Sequence, residues 1–145
     1  MKTNHKFYSN LAFKIAENNL GKTKDNPSVG CIIEKNGTVI SSGVTSINGR
    51  PHAEYNALKK SLNYKDASMY LTLEPCTHYG ITPPCTNLIK KKKIKKVFYC
   101  FDDPDTRTYK KAKTVLFKDK INLKKINFKK NDFYKSYYIN KKFKL

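Results

Sequence analysis

His52, Glu54, Cys76 and Cys85 are the residues of this 145-residue chain whose types and spacing can do chemistry. One imidazole and two thiolates make three zinc ligands. A hydrolytic zinc keeps three protein ligands and leaves its fourth position to water, whereas a structural zinc closes its shell with four. Glu54 lies two residues after His52, near enough to move protons at that water without occupying the metal. It therefore reads as a general acid/base and not as a ligand. Any one of the three ligands alone would pass as an ordinary core or surface residue. The combination of H-x-E with two Pro-Cys pairs, Pro75-Cys76 and Pro84-Cys85, makes them a set.

In the commonest zinc deaminase signature two residues separate the cysteines, and here eight do. The intervening run holds Gly80, Pro83 and Pro84, the composition of a stiff, turning loop able to return the second thiolate to the metal. The chain resembles the deaminase domain of the riboflavin-biosynthesis pyrimidine deaminase/reductase family (RibD type). The resemblance runs through Asn26-Pro27-Ser28-Val29-Gly30-Cys31, Pro51-His52-Ala53-Glu54, the run 70–80, Thr82-Pro83-Pro84-Cys85 and Asp103-Pro104, so it covers nearly the whole chain. It implies a cytidine-deaminase-like fold, a zinc cofactor, and hydrolytic loss of the exocyclic amine from a diaminopyrimidinone ribose phosphate. It also implies that Asn26, His78, Thr82, Asp103 and Asp105 contact the pyrimidine substrate.

The chain departs from that family away from the metal. Thr45 stands where the family usually has a histidine, Ile81 where it usually has Lys or Arg, and Asp105 where it has a neutral amide. Lys110-Lys111-Ala112 replaces a glycine-rich segment, and either lysine could supply the missing phosphate contact. These departures keep three alternatives open: a related zinc deaminase with a shifted nucleobase or nucleoside substrate, a polynucleotide base deaminase, and a non-catalytic zinc or RNA-binding module. The retained Glu54 argues against the last.

The net charge of +19, with the Lys90-Lys91-Lys92-Lys93 run, points toward nucleic acid as a competing partner. Only Arg50 and Arg107 among the 30 basic residues are arginines, whereas nucleic-acid sites exploit the bidentate Arg fork. A lysine-rich composition accounts for the charge more simply. Cys31 and Cys100 lie on apolar, strand-like segments and read as small buried thiols, so no disulfide framework is expected. No stretch approaches the about 20 apolar residues of a membrane span, and a cytosolic homo-oligomer is expected. The length suits one domain over 1–145. No dinucleotide-binding fingerprint is present, so no reductase domain is expected within the chain.

The elements that must position these residues alternate in type. Phe7, Leu11 and Ile15 recur every four residues behind Asn4, a ready cap, and predict an opening helix. Segments 29–34 and 38–42 flank Asn36-Gly37, a type I′ hairpin signal. A helix is expected over 52–62, with His52 and Glu54 in its first turn. Strands at 68–73, 96–101 and 121–128 alternate with helices opening at Cys85, over 109–118 and over 131–143. The expectation is a three-layer α/β/α sandwich around a mixed sheet.

Overall fold

The computed structural model describes residues 4–130 and 132–143. Its elements in chain order are α1 (His5–Glu17), β1 (Gly30–Lys35), β2 (Thr38–Val44), α2 (Ala53–Leu58), β3 (Ser68–Leu73), α3 (Cys85–Lys91), β4 (Lys96–Phe101), α4 (Ala112–Phe117), β5 (Asn122–Lys125) and α5 (Lys135–Phe143). One five-stranded sheet has the order β2-β1-β3-β4-β5. β1 runs antiparallel to both β2 and β3, while β3, β4 and β5 are parallel. The expected mixed sheet between helices is the observed fold. No helix among the described residues is long and apolar enough to cross a membrane.

The first helix starts where its cap dictates: the Asn4 side chain accepts from the Phe7 N–H at 3.0 Å. Its fully buried face carries Tyr8, Ala12, Phe13 and Ala16, while Leu11 and Ile15 of the expected row are half-buried against the core and Phe7 is exposed. Gly30 explains the choice. A Cβ there would lie 1.8 Å from the Ala12 carbonyl oxygen, so α1 and β1 approach to a distance that only glycine opposite small residues allows. Gly43 plays the same part on the other face, where its Cβ would meet the Ala53 oxygen of α2 at 2.3 Å. Thus α1 covers one side of the sheet and α2 the other. Tyr134, just before α5, joins α1's side, its hydroxyl donating to the Ser28 carbonyl at 2.7 Å.

The hairpin forms as the sequence predicts, with positive φ at both Asn36 (53°) and Gly37 (81°) and Lys35 paired with Thr38. β3 and β4 have the expected bounds. Four other elements, α2, α4, β5 and α5, are shorter than expected. α2 ends at Leu58 because the Ala57 carbonyl already accepts from Ser41 Oγ (2.6 Å) and Tyr64 Oη (2.9 Å), leaving it no lone pair for a continuing helix. α4 begins only at Ala112 because Lys110 adopts φ 56° and the Lys110 and Ala112 N–H groups donate to the Glu74 carboxylate. β5 stops at Lys125, after which the chain crosses the sheet edge and stacks Phe128 on Phe13 at 5.0 Å. α5 begins at Lys135, and Asn131 of the expected helix lies outside the described residues.

Replacing Gly30 with alanine should cost about 3 kcal/mol, toward the upper end of overpacking penalties, since backbone and not a flexible side chain occupies the space. Urea unfolding measures it, and a loss under about 0.5 kcal/mol, the scale of a neutral surface change, would contradict the close approach.

Candidate active site

Three chain segments deliver the candidate ligands. β3 ends at Leu73 and hands over to Glu74-Pro75-Cys76, Cys85 is the first residue of α3, and His52 is the N-cap of α2. Their ligand atoms all lie within 4.8 Å of one another. His52 Nδ1 is 3.6 Å from Cys85 Sγ and 4.0 Å from Cys76 Sγ. Zinc bond lengths of about 2.0 Å to nitrogen and about 2.3 Å to sulfur, at a tetrahedral angle, imply an N···S edge of roughly 3.6 Å. The three side chains thus fit a zinc ion with little movement. The Cys85 N–H donates to Cys76 Sγ at 3.2 Å, a bond suited to a thiolate.

Glu54 lies in the first turn of α2 and is only 4 % exposed. Burial, reinforced by the negative charge of Cys76, pushes its carboxyl up to about 7, while His52 acts the other way. Between the thiols, the hydrogen bond from Cys85 holds Cys76 down to about 4 and the same contact pushes Cys85 up. Cys76 in turn raises the pKa of His52. These shifts favour Cys76 as the thiolate of the pair. A dication there would draw both cysteines into the thiolate form.

A cavity of about 110 Å³ gathers Asn26, Thr45, His52, Glu54, Cys76, His78, Asp103 and Asp105. Thr82 and Cys85 line instead an apolar cleft of about 760 Å³, whose wall includes Tyr55, Tyr79 and Ile81. Glu54 lines only the smaller cavity, although the cleft is larger. Of the expected contact residues, then, the fold groups four with Glu54 and places Thr82 on the other side of the ligand set. Asn26 spends its Nδ2 on the Gly49 carbonyl at 2.9 Å, and His78 Nδ1 is 3.0 Å from Thr108 Oγ1. Asp103 Oδ1 accepts from Tyr137 Oη at 2.8 Å and from the Asp105 N–H at 3.0 Å.

The departures noted in the sequence have structural explanations. Thr45 Oγ1 accepts from the Val29 N–H at 2.9 Å, closing the end of β2 onto the start of β1. Asp105 is gripped by the Arg107 fork (Nε–Oδ1 2.9 Å, Nη2–Oδ2 2.6 Å) and by Lys141 at 3.3 Å. Lys110 and Lys111 line neither cavity, and Lys110 Nζ sits 5.3 Å from the Tyr109 ring. The cations that do line the small cavity are Arg50, Arg107 and Lys141. Arg50 and Arg107 flank motifs and could have been suspected on that ground. Lys141 and Tyr137 reach the cavity from α5, and only their spacing of four on one helix face hints at it. Of the lysine run, only Lys91 lines the apolar cleft.

Residues 2–101 match the family model of the cytidine and deoxycytidylate deaminase zinc-binding region. Riboflavin biosynthesis protein RibD of Bacillus amyloliquefaciens is 39% identical over 119 residues, 81% of this chain and 32% of that protein. Acinetobacter baumannii RibD superposes with a TM-score of 0.79 at 36% identity, covering 83% of this chain and 34% of that one. The diaminohydroxyphosphoribosylaminopyrimidine deaminase/5-amino-6-(5-phosphoribosylamino)uracil reductase of Thermotoga maritima gives 0.83 at 30% identity, covering 94% and 40%. The chain thus spans about a third of the length of the relatives it matches. The metal that fits both the family and the donor set is zinc.

Elemental analysis should find about one zinc per chain. Cys76→Ala and Cys85→Ala should each lose metal and stability together, because metal binding is coupled to folding; zinc content equal to wild type would sink the ligand assignment. The Arg107 fork, with Lys141 beside it, holds the Asp105 carboxyl below the ordinary carboxylate range. A lowered folded pKa stabilises the fold above about pH 4, and that contribution is lost only as pH falls through the lower folded value. The stability gap between wild type and Asp105→Asn should therefore be flat from about pH 5 to 8 and shrink only in stronger acid. Added salt should narrow it, since the Arg107 side chain is 56% exposed.

Proposed function

The chain belongs to the cytidine and deoxycytidylate deaminase zinc-binding family, and on that premise we propose that it removes the exocyclic amine of a diaminopyrimidinone ribose phosphate by hydrolysis. The products are ammonia and an aminopyrimidinedione, at a deamination step of riboflavin biosynthesis. One observation carries the reading. A buried carboxylate, Glu54, shares a cavity with two of three converging zinc-type ligands and takes no place among them. The activity of the Thermotoga relative supplies the substrate class. In this reading His52, Cys76 and Cys85 hold zinc, which supplies activation of water near neutral pH.

The chain's own residues do the rest. Glu54 accepts a proton from the attacking water and passes it to the ring nitrogen as the amine-bearing carbon becomes tetrahedral, then takes the second proton from the new hydroxyl and passes it to the amine, which leaves as ammonia while the carbonyl forms. Its burial suits this traffic, because a carboxyl raised toward 7 gives and takes protons at neutral pH with little penalty. His78, held by Thr108, and Asn26, braced on Gly49, are the side chains proposed to orient the pyrimidine. Asn26 Oδ1 accepts no hydrogen bond from the protein among the described residues, which leaves that oxygen for an amino group. The free cysteines fit a reducing cytosol, and the exposed Tyr55, Tyr79 and Ile81 around the cleft support a homo-oligomer.

Glu54→Gln should keep zinc and fold while losing about 10²-fold to 10⁴-fold in ammonia release from the phosphorylated diaminopyrimidinone. Loss of zinc in that variant would make Glu54 a ligand and overturn the mechanism. Because the base must be ionised, kcat/KM should fall in acid. Its midpoint should lie between the ordinary carboxylate range and about 7, since burial raises the Glu54 pKa and bound zinc lowers it.

A further inference from the structure

Arg50 stands where the two cavities meet, lining both the small polar one and the apolar cleft. It is held firmly. Gly49 before it takes φ 97°, a conformation that suits glycine, and gives its carbonyl to Asn26 Nδ2. Pro51 after it accepts from the Ser46 N–H at 3.0 Å, and His52 follows. Of the three cations around the small cavity, Arg107 and Lys141 are already paired with Asp105 at 2.6 Å and 3.3 Å. Arg50 has no carboxylate within ion-pair distance among the described residues. Its guanidinium makes one side-chain hydrogen bond, Nη1 to Thr82 Oγ1 at 3.3 Å, of the five N–H bonds it can donate.

A half-buried guanidinium that makes no ion pair among the described residues keeps most of its donors for an anionic ligand. The neighbouring loop offers no cation of its own: Ile81 is 84% exposed, and Arg50 reaches that loop at the adjacent Thr82. We propose that Arg50 is the specificity-determining residue that binds the anionic end of the substrate, a phosphate monoester. Its planar fork suits phosphate geometry, and its position lets the base enter the small cavity while the phosphate stays at the cleft mouth. This assignment rests on the deaminase reading above and adds the residue that discriminates a phosphorylated pyrimidine from its dephosphorylated counterpart.

The test compares kcat/KM for the phosphorylated diaminopyrimidinone and the same compound after phosphatase treatment, in zinc-loaded wild type, Arg50→Met, Arg50→Lys, Arg107→Met and the double variant Arg50→Met/Ile81→Lys. Arg50→Met should lower the preference for the phosphorylated form about 10- to 100-fold, the scale of lost charged hydrogen bonds, chiefly through KM. Arg50→Lys should recover part of it, and so should the double variant, because a lysine at 81 brings an ammonium to the same loop. An equal loss on both substrates would reduce Arg50 to a loop brace and overturn the proposal, as would a preference erased by Arg107→Met and untouched by Arg50→Met. Calorimetric titration with ribose 5-phosphate gives an independent readout, with binding expected in wild type and lost in Arg50→Met. If wild type releases no ammonia from the phosphorylated compound yet shows that difference in binding, the substrate reading falls and the anion site stands. Equal ribose 5-phosphate binding by both proteins overturns the Arg50 assignment whatever the activity.

Discussion

The carboxylate of Glu74 ties the halves of the site together. It accepts backbone N–H bonds from Asp103 at 3.2 Å, Lys110 at 3.1 Å and Ala112 at 3.3 Å, so the end of β3 and the loop between β4 and α4 cannot move independently. Two residues on, Cys76 leaves for the ligand set, and across the loop Thr108 Oγ1 meets His78 and the Thr77 N–H. One buried acid thereby spaces a metal ligand against the opposite wall. Burial raises its pKa, and the three donated N–H bonds work against that rise. Removing the carboxylate would leave three amides without their acceptor, a cost that falls on the loop before it falls on the chemistry.

Charge in the cavity is arranged in nearly closed accounts. Asp105 absorbs Arg107 and Lys141, Asp103 is held by the Tyr137 hydroxyl and the Asp105 N–H, and Tyr137 and Lys141 stand one turn apart on α5. A wall that neutralises itself offers hydrogen bonds without a strong field. That suits an uncharged heterocycle better than an anion. It also isolates Arg50 as the place where a negative group gains most, since Coulomb interactions strengthen where water is thinned out. The +19 of the chain as a whole does not decide this, because most of it sits on lysines that line neither cavity.

What the sequence made legible was what local chemistry decides. Asn36-Gly37 sets its hairpin by backbone preference, and β3 and β4 are apolar runs bounded by turns, so all three appear as expected. The ligand set was legible because few other arrangements of His, Cys, Cys and an extra Glu make physical sense. The errors arose where a distant side chain arbitrates. Ser41 and Tyr64 end α2 by taking one carbonyl, and Glu74 delays α4 by taking two N–H groups. Lys110 and Lys111 looked suitable by proximity to a motif, yet the fold turns the Tyr109–Lys110 pair on itself and fills the cavity wall from Lys141.

That last substitution bears on how the domain divides its labour. The matched family region ends at residue 101, and it already contains His52, Glu54, Cys76 and Cys85. Asp103, Asp105, Arg107, Tyr137 and Lys141 all lie beyond it and all line the small cavity. The candidate ligands and Glu54 are thus carried by α2, α3 and the end of β3 in the body of the sheet, whereas the facing wall comes from a loop and α5. Such a wall can change its charges without disturbing the ligand geometry, because its ties to the ligand-bearing segments pass through Glu74, Thr77 and Thr108 and not through the candidate ligands themselves. A chain can therefore keep its reaction while exchanging the residues that read the rest of the substrate. Asp105, a departure from the resembled family, lies on that wall with Arg107 and Lys141 paired to it.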